Sequence, residues 1–172
     1  MTNFTCKIAN CVAEISAIFE STRNYCRDYL TEDPAEISIA ITDADIRRER
    51  EIAAKEDALE GLPVREYADM YLERTALQRK LTQHLFDRNV LLFHGSVVAV
   101  DGQAYLFTAK SGTGKSTHTS LWRQVFGNRA VMVNDDKPFL GIQEDSVVVY
   151  GSPWNGASRM KFIQFRPKKP CP

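Results

Sequence analysis

The sequence predicts an α/β chain, with a mixed-sheet domain over residues 90–172 preceded by a small α+β region over residues 1–89. Three observations carry this expectation. A glycine-rich run, Ala109-Lys110-Ser111-Gly112-Thr113-Gly114-Lys115-Ser116-Thr117, lies between a short apolar, β-prone segment and a segment able to form a helix. Asp101-Gly102, a strong hairpin-turn signal, comes shortly before it and sets residues 103–108 antiparallel to residues 96–100. In the first forty residues, apolar and polar side chains alternate with the period of half-exposed strands.

In chain order, Phe4, Cys6 and Ile8 alternate with Thr5 and Lys7 to give a first strand, and residues 12–19 give a second. Residues 21–30 form a helix that Asp33-Pro34 breaks, and Ile37, Ile39 and Ile41 mark a third strand. Nothing in this region carries a catalytic signature, so it reads as a scaffold or lid. Residues 42–61 form a charged helix, opened by a capping box of Thr42 with Asp45 and stopped by Gly61 and Pro63. The alternating signs of Arg47-Arg48-Glu49-Arg50-Glu51 mark a solvated face with internal ion pairs rather than a basic patch. Residues 64–87 form a second helix. Leu77, Leu81 and Leu85 make its buried face, Tyr71 and Leu72 extend that face, and His84 lies beside it as a structural residue. Both helices are expected to pack on the core.

At Val90 the character changes. The apolar run Val90-Leu91-Leu92-Phe93 leads into His94-Gly95-Ser96, and the hairpin follows. Residues 116–126 form the helix after the glycine-rich run, with Leu121, Trp122 and Val125 on one side. Residues 130–133 make a buried strand ending at Asn134-Asp135-Asp136. Residues 139–142 and 147–150 are the arms of another hairpin, turning at Glu144-Asp145, and residues 151–156 form a loop. Residues 160–165 form a last strand, and residues 166–172 are a basic, proline-rich end without a core pattern.

Composition bounds the function. The chain of 172 residues, 44% hydrophobic, is enough for one domain, or for one domain with a small appendage. Zero net charge gives no bulk field toward nucleic acid or membranes. Cys6, Cys11, Cys26 and Cys171 lack zinc or redox spacing, which fits a reduced, cytoplasmic setting. There is no signal-peptide pattern and no run of transmembrane length.

The glycine-rich run follows the phosphate-binding pattern G-x-x-x-x-G-K-[ST], with Ala109 at the first glycine. Gly112 and Gly114 let the backbone turn its N–H groups inward onto phosphate oxygens. Lys115 carries charge to the β- and γ-phosphates, Ser116 offers a hydroxyl to Mg²⁺, and the following helix adds its positive end. Asp135 and Asp136 end a buried strand, where a carboxylate beside such a loop holds Mg²⁺ and a second can accept a proton. The alternative for Asp135-Asp136-Lys137-Pro138 is a plain turn. His94 can contact a phosphate or tune an aspartate, or be structural.

His94-Gly95-Ser96-Val97-Val98-Ala99-Val100, the run Ala109 to Thr117, and Val133-Asn134-Asp135-Asp136 together resemble the C-terminal kinase domain of HPr serine kinase/phosphorylase. That fold is shared with ATP-dependent phosphoenolpyruvate carboxykinase. The likeness is closest to stand-alone bacterial HPr kinase-like ATPases, whose pattern continues as Pro153-Trp154-Asn155-Gly156. The resemblance implies Lys115 as the phosphate lysine, Ser116 and Asp136 at the metal, Asp135 as base toward the acceptor hydroxyl, and His94 in the active site. It implies ATP and Mg²⁺ as cofactors. A homo-oligomer is a further implication, since HPr kinases assemble as hexamers.

The acceptor-recognition segments of true HPr kinases are missing beyond the aspartates. Ala157 stands where relatives carry a basic residue, and the expected later strands give way to residues 166–172, so a truncated or frame-shifted C-terminus is expected. The expected function is transfer of the γ-phosphate of MgATP to an acceptor hydroxyl, on a protein or peptide serine or a small metabolite. The alternatives are an ATPase or nucleotide-sensing module without an acceptor, and a non-catalytic fragment.

Overall fold

Ala9 and Asn10 both take positive φ, 51° and 61°. This is the backbone of a two-residue turn matched to the twist of antiparallel strands. In this computed structural model, which describes residues 1–110, 112–155 and 164–165, the turn joins β1 (Thr2–Ile8) to β2 (Cys11–Ala17). Ile8 faces Cys11 and Thr2 faces Ala17, and alternation buries Phe4, Cys6 and Ile8. Among the described residues, the chain is mixed α/β with several small sheets and four helices. It divides into two compact units, Met1–His84 and Leu85–Pro172.

In the first unit, β2 also pairs in parallel with β3 (Ile37–Ala40). The helix expected over residues 21–30 is shorter: α1 (Glu20–Tyr25) gives way to a tight turn over Arg27–Tyr29. Leu30 is extended instead and bridges to Cys6 of β1. The predicted capping box opens α2 (Asp43–Leu59), with the Asp45 carboxylate accepting from the Thr42 N–H at 2.9 Å. Gly61, at φ 68°, follows its end. The next helix, α3 (Asp69–Phe86), starts five residues later than expected. Buried Asp57 accepts the backbone N–H of Arg65 at 2.9 Å and also takes its guanidinium, which holds this stretch out of the helix.

Leu72, Leu77, Leu81 and Leu85 are buried as the helical period requires, but Tyr71 is exposed and stacks on Tyr67 at 5.2 Å. His84 is also exposed. In the charged run of α2, Arg47, Arg48, Arg50 and Glu51 are exposed as expected, and Glu49 differs. Glu49 lies one turn after buried Ile46 and is itself only 3% exposed. It takes the Arg79 guanidinium at 2.6 and 2.8 Å. Arg50 pairs with Asp69, and Asp45 with Lys80 at 2.8 Å. These ion pairs therefore cross from α2 to α3 rather than run along one helix.

The second unit contains β4 (Val90–Leu92), β5 (Ser96–Val100) and β6 (Gln103–Phe107), then α4 (Lys115–Phe126). It continues with β7 (Ala130–Asn134), β8 (Phe139–Gln143), β9 (Ser146–Tyr150) and β10 (Gln164–Phe165). Asp101 (φ 51°) and Gly102 (φ 79°) make the predicted turn, with Val100 opposite Gln103 and Ser96 opposite Phe107. The strand orders are β6-β5-β7 and β10-β9-β8-β4.

The pairings described in this unit are all antiparallel, so the expected mixed sheet does not occur there among the described residues. β6 and β7 run in the same direction, but the hairpin places β5 between them. Val97, Ala99, Val133, Leu140 and Val149 form one buried cluster, joined by Ala104 and Leu106. α4 packs against β5 and β7. Its expected apolar side is divided: Trp122 is half-buried, whereas Leu121 and Val125 are exposed.

Of the last expected strand, Gln164–Phe165 pairs with β9. Residues 160–163, Ser111, Gly156, Ala157 and residues 166–172 lie outside the described residues. No described helix is long and apolar enough to cross a membrane.

Candidate functional site

The glycine-rich run lies between the end of β6 and the start of α4. Gly112 and Gly114 take φ of 79° and 92°, with nothing within 4 Å of the position a Cβ would occupy. The glycine requirement is therefore conformational, a left-handed backbone that costs other residues roughly 1–2 kcal/mol, and the space over the loop is open. The Lys115 ammonium donates to the carbonyls of Ala109 at 2.9 Å and Lys110 at 3.2 Å. The Thr113 hydroxyl donates to the Lys110 carbonyl at 2.8 Å. Lys115 is thus folded over the loop on neutral acceptors that a phosphate would outcompete. Ser116 and Thr117 are exposed in the first turn of α4, where backbone N–H groups lack intrahelical partners. A cleft of about 470 Å³ opens here, lined on the loop side by Thr113, Gly114 and Lys115. Leu106, Phe107 and His118 also line it.

A second cluster forms where the chain passes between the two sheets. One crossing joins β4 to β5 and the other joins β7 to β8, and they lie side by side. The Phe93 N–H donates to the Pro138 carbonyl at 2.9 Å, and the Gly95 N–H to the Asp136 carbonyl at 3.0 Å. This brings His94 Nε2 to 3.5 Å from Asp136 Oδ1. Gly95 allows close approach: a Cβ there would stand 2.7 Å from Leu106 Cδ1 and 3.0 Å from the Phe107 carbonyl oxygen. Burial pushes the His94 imidazole below its ordinary pKa; the charges of Lys137 and Lys115 push the same way, and Asp136 opposes them. His94 is therefore neutral at neutral pH, and the charge of Lys115 reaches it.

Buried Asn134 shapes the aspartate turn. Its Oδ1 accepts from the N–H groups of Asp136 at 2.9 Å and Lys137 at 2.7 Å. Its Nδ2 donates to Ser152 Oγ at 3.1 Å, and Ser152 Oγ donates to the Lys137 carbonyl at 2.6 Å. Asp135 and Asp136 thus lie in a turn closed by the Asn134 side chain. Asp135 Oδ1 accepts from Ser96 Oγ at 2.5 Å, and Ser96 Oγ lies 2.8 Å from Thr119 Oγ1. An ionised carboxylate only accepts, so the Ser96 proton goes to Asp135, and the single Thr119 proton is shared between Ser96 Oγ and the carbonyls of Ser116 at 3.1 Å and Lys115 at 3.3 Å. Ser96 and Thr119 are completely buried. Together they tie Asp135 to the first turns of α4.

The expected residues therefore fall into two groups. Ala109, Lys110, Gly112, Thr113, Gly114, Lys115, Ser116 and Thr117 make the loop and helix start. His94, Asp135 and Asp136 make the crossing cluster and are not among the described lining of the cleft. Ser96, Thr119, Asn134 and Ser152 had no signal as site residues, apart from the turn-forming tendency of an asparagine at a strand end. Among the described residues, no group of three His, Cys, Asp or Glu side chains is placed to hold a metal ion. That donor set suits Mg²⁺ only in its usual form, with one or two protein oxygens alongside phosphate and water. The exposed Ser116 hydroxyl and the carboxylates after β7 are the oxygens of that kind. No protein family model matches the sequence, and no curated protein matches it.

Proposed function

We propose that the chain is a cytoplasmic, HPr kinase-like phosphotransferase that binds MgATP at the loop between β6 and α4. It passes the γ-phosphate to an acceptor hydroxyl, on a protein or peptide serine or a small metabolite. The observation that carries this reading is the buried link from Asp135 through Ser96 to Thr119. A turn without chemical purpose has no need of two buried hydroxyls joining it to the helix that follows a phosphate loop.

Each residue then has a physical task. The loop N–H groups and the start of α4 cradle the phosphates, and Lys115 leaves its carbonyls for their oxygens. Bound Mg²⁺ would neutralise charge between the phosphates, with Ser116 and Asp136 as its protein oxygens. Ser96 occupies Oδ1 of Asp135 and leaves Oδ2 to accept the proton of the acceptor hydroxyl. Asp136, beside neutral His94, is positioned by the Asn134 turn.

The test is transfer of radiolabelled γ-phosphate from ATP to a panel of peptides and hydroxylated metabolites. Labelling that Asp135→Asn abolishes while ATP binding persists supports the reading. Phosphate release with no labelled acceptor overturns it in favour of an ATPase.

A further inference from the structure

We infer that the Phe107–His118 wall of the cleft is a purine subsite, in which His118 Nδ1–H donates to an acceptor on the base. The inference rests on the proposed binding of phosphates by the loop and adds what holds the other end of the same ligand.

The wall is an aromatic ladder built from one strand and one helix. Tyr105 and Phe107, two residues apart, share a face of β6, while His118, Trp122 and Phe126 repeat at one-turn spacing on α4. Phe107 meets His118 edge-on at 4.7 Å and Trp122 at 5.3 Å, and Trp122 meets Tyr105 at 4.8 Å. The Trp122 indole N–H donates to His118 Nε2 at 3.1 Å. An imidazole nitrogen that accepts carries no proton, so in this arrangement the His118 proton sits on Nδ1. Trp122 thereby fixes both the ring and its tautomer, and makes His118 a donor.

Phe107 and His118 belong to the same cleft as Thr113, Gly114 and Lys115. Its volume of about 470 Å³ falls within the roughly 300–1,000 Å³ usual for small-molecule sites. The cleft brings the Lys115 charge and the loop backbone together with the Phe107 ring and one N–H donor on His118. A nucleoside triphosphate carries the matching groups: phosphates at one end, a planar ring with acceptors at the other. Purines present the larger stacking face and an N7 acceptor common to adenine and guanine. A single donor does not separate them, so ATP and GTP bind alike. Stacking on an aromatic face contributes about tenfold to a hundredfold in affinity.

The experiment compares binding of MgATP, MgGTP and magnesium tripolyphosphate to the wild-type chain, His118→Ala and Phe107→Leu. His118 is exposed, so its truncation leaves the core intact. The expected wild-type result is ATP and GTP within about threefold of each other, and both at least about tenfold tighter than tripolyphosphate. In both variants that advantage shrinks severalfold while tripolyphosphate affinity stays constant. An unchanged ratio of ATP to tripolyphosphate affinity overturns the purine subsite and leaves the phosphate loop standing. Loss of tripolyphosphate binding in His118→Ala also overturns it, by assigning His118 to the phosphates. A wild-type chain that binds none of the three ligands removes the phosphate-loop reading itself.

Discussion

Ser96 Oγ lies 2.5 Å from Asp135 Oδ1 and 2.8 Å from Thr119 Oγ1, so one buried hydroxyl joins the end of β7 to α4. Replacing it tests whether Asp135 must be held. Ser96→Ala is expected to lower phosphotransfer roughly 10- to 100-fold, the penalty of a misplaced reacting group, while the nucleotide dissociation constant changes less than about threefold. Steady-state kinetics beside a binding titration separate the two effects. Equal losses in turnover and binding would assign Ser96 to general stability.

Gly95→Ala is expected to act on the loop from behind. The new methyl would meet Leu106 Cδ1 at 2.7 Å and the Phe107 carbonyl at 3.0 Å, and overpacking of this kind destabilises by about 1–3 kcal/mol. Because Leu106 and Phe107 lead into the loop, nucleotide affinity falls as well. Thermal melts with and without MgATP measure both effects, and an unchanged melting temperature would show that β6 yields freely.

Much of this architecture was legible locally. Asp101-Gly102 specifies a turn by its own backbone preferences, Thr42 and Asp45 lie one turn apart, and the loop needs only neighbouring residues. The hidden parts depend on contacts distant in sequence. Nothing near Ser96 announces a partner at Thr119 or Asp135. The insertion of β5 between β6 and β7 follows from the pairing of β5 on both edges, which a strand pattern does not encode. Glu49 looked solvated because its neighbours are charged, yet its position one turn from Ile46 places it inward, opposite Arg79. Residues 64–68 read as the start of the second helix, and Asp57 captures Arg65 instead.

The buried Glu49–Arg79 pair supports a stability prediction. Arg79→Ala leaves the Glu49 carboxylate without its cation, and removal of one partner from a buried pair is strongly destabilising. Arg79 is itself partly exposed and water can reach the vacated space, so a loss of about 2 kcal/mol is expected. Urea unfolding of Arg79→Ala, Glu49→Ala and the double variant forms the cycle. Additive losses would mean that the two side chains do not interact.

His94 supplies a pH prediction. Folding favours its neutral form, so its folded pKa lies below the ordinary value of about 6.5. Between the two values the unfolded chain binds more protons, so this contribution falls as pH drops through 6.5 toward the folded pKa and is constant above 6.5. In magnesium-free, nucleotide-free protein, the NMR titration of His94 is expected below 6.5. Its midpoint moves up in Lys137→Gln, which removes a repelling charge, and down in Asp136→Asn, which removes an attracting one. A wild-type midpoint at or above 6.5 would contradict this electrostatic description.

The most direct test of the central claim is calorimetric titration of MgATP into the folded wild-type chain and into Lys115→Ala. The account predicts saturable binding by the wild type and at least about a hundredfold weaker binding by the variant, as expected when a charge-assisted phosphate contact is removed. No binding by a folded wild-type chain, or equal binding by both proteins, would contradict it.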